Sequence, residues 1–390
     1  MPHTDEQLYQ RALAVMPGGN TRSTLFVAPH PPYAVRGNGA EITDADGHVV
    51  IDCNNNYTAL IHGHADPEIL NTVHEVASAG TAFGLPTQYE VEMAELLRGR
   101  TGGIEQWRFC NSGTEAVMML IRAARAHTGR DMIIRFEGSY HGTYDAVVST
   151  AAKGVPVSLR DSVIEVPQGD IDAVERAVHR HPGRVAAVLV DLMPNRAGLN
   201  PAEACAIARL VELTRAHGIL LAVDEVITFR LEPGGMHTRY GLQPDLISLG
   251  KVIGGGFAVG AVGGSAEILA SFSPLADGPV AWGGTFSANP VTMAAGMVAL
   301  RRFTADAVSN LNARGDALRA RLNQHGVTAN GSGSLIRLMV DHPGVTWWDL
   351  YHAGVLAGTN GLLALSTAMT DEHVTAIGDA VIAVCGARSS

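Results

Sequence analysis

A doubly wound α/β fold with a mainly parallel central sheet is the architecture this 390-residue chain predicts. Two observations predict it. From residue 104 to about 265, short apolar runs alternate with longer stretches of helical periodicity, the order expected of parallel strands joined by helical crossovers. On either side of that block the pattern changes to short strands and single helices, which predicts a smaller α+β portion made from the two chain ends. The expected division is 1–55 as an N-terminal segment joining the small portion, 56–290 as the large portion and 291–390 as the C-terminal small portion. With 46% apolar and 17% charged residues there is material for a sizeable core, which excludes a disordered or fibrous chain.

The elements follow in order. The opening residues read as a helix, then a proline-rich strip (APHPPY) and short strands around an Asp46-Gly47 turn. The predicted strands of the large portion are WRF (107–109), MIIRF (132–136), VAAVLV (185–190), ILLAV (219–223) and LISL (246–249). Between them lie amphipathic stretches such as EAVMMLIRAARAHTG and AEACAIARLVELTRAHG. The second ends at Gly218 with Arg215 and His217 in its last turn, a helix-stop pattern. After Pro290 the chain is helical, returns to short strands and finishes with a helix from about 371.

Composition excludes several classes of function. The longest apolar stretches are of the length of VAAVLV, far short of the roughly 20 residues that cross a bilayer, so no membrane segment is expected. MPHTDEQLYQ has two acids and no basic region ahead of an apolar one, unlike a secretory leader. Cys53, Cys110, Cys205 and Cys385 form no CxxC pair and read as reduced core thiols of a cytoplasmic protein. A net charge of −10, with no basic stripe, argues against a nucleic-acid partner.

Of 28 basic residues only two are lysines, Lys153 and Lys251. Arginine is permanently charged, whereas lysine can act as a neutral amine. Lys153, in the small-residue segment AAKGVP, reads as a solvated surface charge. Lys251 stands directly after a strand, between Gly250 and Gly254-Gly255-Gly256. In open parallel sheets ligands bind outside the carboxyl ends of the strands, so the residue after each apolar run is informative.

The five runs end on Asn111-Ser112-Gly113-Thr114, Glu137-Gly138-Ser139-Tyr140-His141-Gly142, Asp191, Asp224-Glu225 and Lys251. Ser112-Gly113-Thr114 opens a helix and suits a phosphate dianion, although an ordinary N-cap reads the same way. Asp224 reads as a cap, a general base or the acid that keeps a pyridinium nitrogen protonated. Lys251 suits a Schiff-base amine. Ser248-x-x-Lys251 also matches SxxK, but no SDN or KTG follows, and no GxGxxG or P-loop motif occurs. His62 and His64 lack metal-ligand spacing to partners and read as loop residues. A phosphate cradle, an aromatic, a ring acid and an amine at one sheet edge converge on a pyridoxal phosphate site.

At these residues the chain resembles the class III pyridoxal-phosphate-dependent aminotransferases of fold type I, over about Pro17 to about Asp371. Within them it is most similar to the glutamate-1-semialdehyde aminomutase branch and the β-phenylalanine aminotransferases. The resemblance is carried by PGGNTRSTLF, RFCNSGTEAVMMLIRAAR, FEGSYHG, VDEVITFRLEPGG, PDLISLGKVIGGG and GGTFSANPVTMAAG, in that order. It implies that residues 56–290 bind pyridoxal 5'-phosphate. Ser112, Gly113 and Thr114 would hold its phosphate, Tyr140 and Val226 would pack on opposite ring faces, Asp224 would pair with the ring nitrogen and Lys251 would carry the Schiff base. It also implies that Thr285 reaches the phosphate of a neighbouring subunit, hence a homodimer with shared active sites, and that Arg22 binds a substrate carboxylate.

The chain departs from the family pattern at three places. Asp191-Leu192 stands where Glu-Pro is usual, Arg196 where a neutral residue is usual, and Asn360 where the β-phenylalanine enzymes carry a second arginine. Arg196 is either a replacement anion anchor or the ion-pair partner of an acid such as Asp191. The leading expectation is an aminotransferase acting between an amino acid, in particular a β-amino acid, and a keto acid. The alternative is an aminomutase or epimerase using the same residues, and the third is a scaffold without catalysis, against which Lys251 and Asp224 argue.

Overall fold

The computed structural model describes residues 3–149 and 152–386. It divides into two compact units, Met1–Pro67 with Ser309–Ser390 and Glu68–Val308.

The larger unit is built on seven strands: β1 (Gln106–Cys110), β2 (Met132–Phe136), β3 (Val163–Val166), β4 (Val185–Val190), β5 (Leu220–Asp224), β6 (Leu246–Gly250) and β7 (Gly260–Gly264). Their order across the sheet is β1-β7-β6-β5-β4-β2-β3. β3, β2, β4, β5 and β6 are mutually parallel, whereas β7 is antiparallel to both β6 and β1. β1 therefore runs the same way as the parallel set. The carboxyl ends of β1, β2, β4, β5 and β6 share one edge, so all five strand endings singled out in the sequence lie there. β4 and β5 are buried along their whole length, which is why they read as continuous apolar runs rather than alternating ones.

β3 and β7 escape a reading by apolar runs. β3 is a four-residue edge strand carrying Glu165. β7, GAVGG, has the composition least expected of a strand. The packing explains its glycines: a Cβ at Gly260 would strike the Ser112 carbonyl, and one at Gly263 would lie 2.5–2.7 Å from Ile104 and the Trp107 ring.

The two helical stretches form as expected. Ser112 caps the helix Gly113–Thr128, its hydroxyl accepting from Glu115 N at 3.1 Å, and Gly129 ends it at φ +67°. Ala116, Leu120, Ile121, Ala123 and Ala124 bury one face against the sheet core. The helix Ala204–Ala216 stops at His217, followed by Gly218 at φ +57°. Cys205 lies in its first turn and is exposed, so the expectation of four core thiols holds only for Cys53, Cys110 and Cys385. Lys153 is exposed. Among the described residues no helix is long and apolar enough to cross a membrane.

The smaller unit carries a four-stranded sheet of Ala34–Asn38, Glu41–Asp44, Val49–Asp52 and Val355–Leu356, and a three-stranded one of Ala329–Ser332, Leu335–Leu338 and Leu362–Ala364. Both chain ends thus contribute strands to it. Its aromatic core stacks Trp347 on Tyr351 at 5.1 Å over Val27 and Val50.

Candidate active site

Asp224 closes β5 and is 5% exposed. Its Oδ2 lies 2.7 Å from His141 Nδ1, and its Oδ1 accepts from Ser248 Oγ at 3.0 Å and Val226 N at 3.1 Å. Burial alone would raise its pKa. The hydrogen bond from His141, with those from Val226 and Ser248, outweighs that and holds it below the usual aspartate value. An ionised Asp224 makes Nδ1 of His141 the N–H donor and leaves Nε2, which is buried without a partner. The group is therefore a carboxylate kept charged inside the protein, aimed by a histidine and a serine.

Neither His141 nor Ser248 was singled out for a role in the sequence. Both were visible: His141 follows Tyr140 in GSYHG, and Ser248 is the one polar residue in the apolar run LISL. A buried hydroxyl inside a strand requires a partner, and Ser248 is paired in register with Asp224.

Lys251 follows β6 with φ +50°, a left-handed conformation that only glycine adopts without cost. Strain of this kind collects at functional sites. Desolvation lowers its pKa, against the raising charges of Asp224 and Asp191, and the net shift is downward. The amine is thus biased toward its neutral, nucleophilic form, and it has no ion-pair partner among the described residues.

Ser112, Gly113 and Thr114 form the first turn of their helix, with unpaired N–H groups at its positive end. A Cβ at Gly113 would lie 2.9 Å from Val226, and one at Gly250 3.3 Å from it, so these three residues pack together. Thr114 Oγ1 accepts from Thr143 N at 3.3 Å. Gly138 and Gly142, at φ +74° and +101°, bracket the turn that presents Tyr140 and His141. Any side chain at Gly142 would collide with Thr114.

Arg196 is not paired with Asp191. Its exposed guanidinium lies 4.0 Å from the centre of the Tyr140 ring, a cation–π contact, while Asp191 is buried and accepts from Met193 N at 2.9 Å. Thr285 is exposed in a turn, three residues after Trp282, whose Nε1 donates to Phe109 O at 3.0 Å. Arg22 belongs to the other unit, where Nη1 donates to Asn56 Oδ1 at 2.7 Å. Asn360 Oδ1 accepts from Leu362 N at 3.3 Å. In the smaller unit His64 pairs with Asp52 at 2.7 Å and His62 faces Thr367 at 2.7 Å, and the described residues contain no cluster that could hold a metal.

Asp191 has a measurable consequence. Burial first, and then the charge of Asp224, push its carboxyl up from 3.8 to about 7. The unfolded chain therefore ionises this group first, and stability is lost as pH rises from about 4 to about 7. Asp191→Asn should gain on the parent chain through that window, by up to about 4 kcal/mol at pH 8. Calorimetric melting of the cofactor-free proteins at several pH values checks this, and a difference that stays flat from pH 4 to 8 would refute it.

A model of the class III aminotransferases matches residues 27–339. The chain belongs to the class III aminotransferase family. The solved omega-transaminase from Sphaerobacter thermophilus superposes with a TM-score of 0.94 at 44% identity, covering 98% of this chain and 97% of that one. A solved transaminase with PLP bound gives 0.94 at 36% identity, over 97% and 96%. The beta-phenylalanine transaminase of Variovorax paradoxus is 37% identical over 96% of this chain and 91% of its own. The glutamate-1-semialdehyde 2,1-aminomutase of Methanothermobacter thermautotrophicus is 40% identical over 81% and 77%. The fold of this aminotransferase is accordingly that of the fold type I enzymes, and its cofactor is pyridoxal phosphate. The residues present fit that group: an unpaired, desolvated amine on a strained residue, a charged buried acid, and a helix N-terminus that excludes side chains at Gly113 and Gly142.

Proposed function

We propose that this aminotransferase transfers the amino group of an apolar β-amino acid to a keto acid at the Lys251–Asp224 site. The observation that carries the reading is that a desolvated lysine in a left-handed conformation and an aspartate held ionised by His141 and Ser248 end neighbouring strands at one sheet edge. When bound, pyridoxal phosphate supplies an aldehyde that takes up amino groups and a ring that withdraws electrons. Ser112, Gly113 and Thr114 hold its phosphate through backbone N–H groups and hydroxyls. Tyr140 and Val226 confine the ring, and Asp224 keeps the ring nitrogen protonated. Lys251 would hold the cofactor through its Nζ, and the same amine would move a proton of the substrate. Arg22 binds the substrate carboxylate, a role supported by its NTRS motif. The name of the Variovorax relative supports a β-amino acid donor.

Thr285 acts in the neighbouring subunit of a homodimer. Its exposure supports this, as do Phe83, Leu85, Leu275 and Phe286, which are 53–93% exposed on the same unit. The protein works in the cytoplasm, without a nucleic-acid or membrane partner.

A second reading is an aminomutase, favoured by the names of the relatives near 40% identity, or an epimerase using the same residues. One experiment separates the readings. The holoenzyme, sized by sedimentation, is given 3-amino-3-phenylpropanoate with and without 2-oxoglutarate or pyruvate. Turnover that needs an acceptor is expected, from a dimer. Consumption of a donor without any acceptor, or activity in a monomer, overturns the corresponding part.

A further inference from the structure

The most strained backbone in the smaller unit lies at Asn55, Asn56, Tyr57 and Thr58, whose φ values are +49°, +48°, +55° and +76°. None is glycine, and each left-handed residue costs roughly 1–2 kcal/mol. Four in succession form one turn of left-handed helix, which persists only where its surroundings over-determine it. They do so here. Asp52 Oδ1 accepts from the N–H groups of Asn54 and Asn55 at 2.9 and 2.8 Å, and Asn54 Oδ1 accepts from Tyr57 N at 2.5 Å. Asn55 Nδ2 donates to Ala364 O at 2.6 Å.

The side chains this turn presents meet at one place. Asn56 Oδ1 accepts from Arg22 Nη1 at 2.7 Å, and the Tyr57 ring lies 6.0 Å from the same guanidinium carbon. The Tyr57 hydroxyl is tied to Thr24 O at 2.5 Å. Arg22, Asn56 and Tyr57 line a cavity of about 290 Å³ whose other walls include Leu25, Ile42, Val50 and Trp347. Arg22 has no carboxylate partner among the described residues, so its fork remains available to a ligand. The cavity's histidine, His64, is already paired with Asp52. A second ligand carboxylate would find no further cation among the residues that line the cavity, and would meet the negative charge of Asp52 there.

We propose that Asn56 is the positioning residue of the Arg22 carboxylate anchor, that the left-handed turn serves to place it, and that the ligand is a monocarboxylate whose apolar tail enters this cavity. The proposal rests on the reading of Arg22 given above. Asn56 acts through Arg22: its carbonyl fixes one arm of the guanidinium, so that less side-chain freedom is lost when a carboxylate binds.

The test is calorimetric titration of the holoenzyme with 3-phenylpropanoate, which has the carboxylate and the apolar tail but no amine, alongside 3-phenylpropan-1-ol. Asn56→Gly removes the amide while glycine adopts the required φ without strain, so its melting temperature should equal or exceed that of the parent. Its Kd for 3-phenylpropanoate should rise on the order of tenfold, the scale of one hydrogen bond to a charged group. Arg22→Ala should rise further, and the alcohol should be unaffected in both. Unchanged affinity in Asn56→Gly beside a loss in Arg22→Ala overturns the positioning role and leaves the anchor standing. No loss in Arg22→Ala removes the anchor and this inference with it. A loss shared equally by the alcohol marks Asn56 as merely structural and overturns the proposal.

Discussion

Lys251→Ala should lose at least about 10⁴-fold in turnover, because the general acid–base work alone is worth 10²–10⁴ and the nucleophilic amine goes with it. No substitute stands ready: the chain's one other lysine is Lys153, exposed in a distant stretch of sequence. The fold should survive, since alanine removes a half-buried side chain and the strain at φ +50° comes from any L residue. Borohydride reduction followed by mass measurement gives a readout independent of turnover. The parent chain should gain the mass of the cofactor less one oxygen, water being lost and two hydrogens added, and the variant should gain nothing. A variant with ordinary activity, or one still labelled, would remove Lys251 from its role.

Asp224→Asn should slow turnover by about 10²–10³, or about 3–4 kcal/mol, the range in which one preorganised electrostatic group acts. The amide keeps the shape but not the charge. Its NH₂ also faces the wrong partner: Oδ2 now receives Nδ1–H of His141 at 2.7 Å, and two donors cannot share that contact. His141 must shift its proton to Nε2 or the amide must flip, which sets its NH₂ against the Val226 N–H at 3.1 Å, again donor against donor. Cofactor affinity measured by equilibrium dialysis should fall along with turnover. If both stay at the parent values, the carboxylate has no part in holding or activating the cofactor.

The central sheet was legible wherever burial is two-sided. MIIRF, VAAVLV, ILLAV and LISL are apolar because residues on both faces of these strands are buried, and each became a strand. β7 was not legible, because its glycines answer to close approach by Ser112, Ile104 and Trp107, neighbours far off in sequence. The antiparallel insertion of β7 between β1 and β6 was hidden for the same reason. Cys205 misled because residue type predicts average burial, while its place in the first turn of a surface helix decided its own.

The chemistry-bearing residues were fixed by the sequence itself. Parallel strands put their carboxyl ends at one edge, so Ser112, Tyr140, Asp191, Asp224 and Lys251 could be assigned to it from order alone. Their electrostatic states could not. That Asp224 is ionised while Asp191 is pushed up to about 7 depends on which carboxylate His141 and Ser248 face. Whether Arg196 meets an acid or the Tyr140 ring, and that Asn56 grips Arg22 from a left-handed turn, are likewise matters of a few ångströms. Sequence spacing carries the periodicity of strands and helices, but hydrogen-bond partners and desolvation are set by residues tens to hundreds of positions apart, and only the folded chain brings those together.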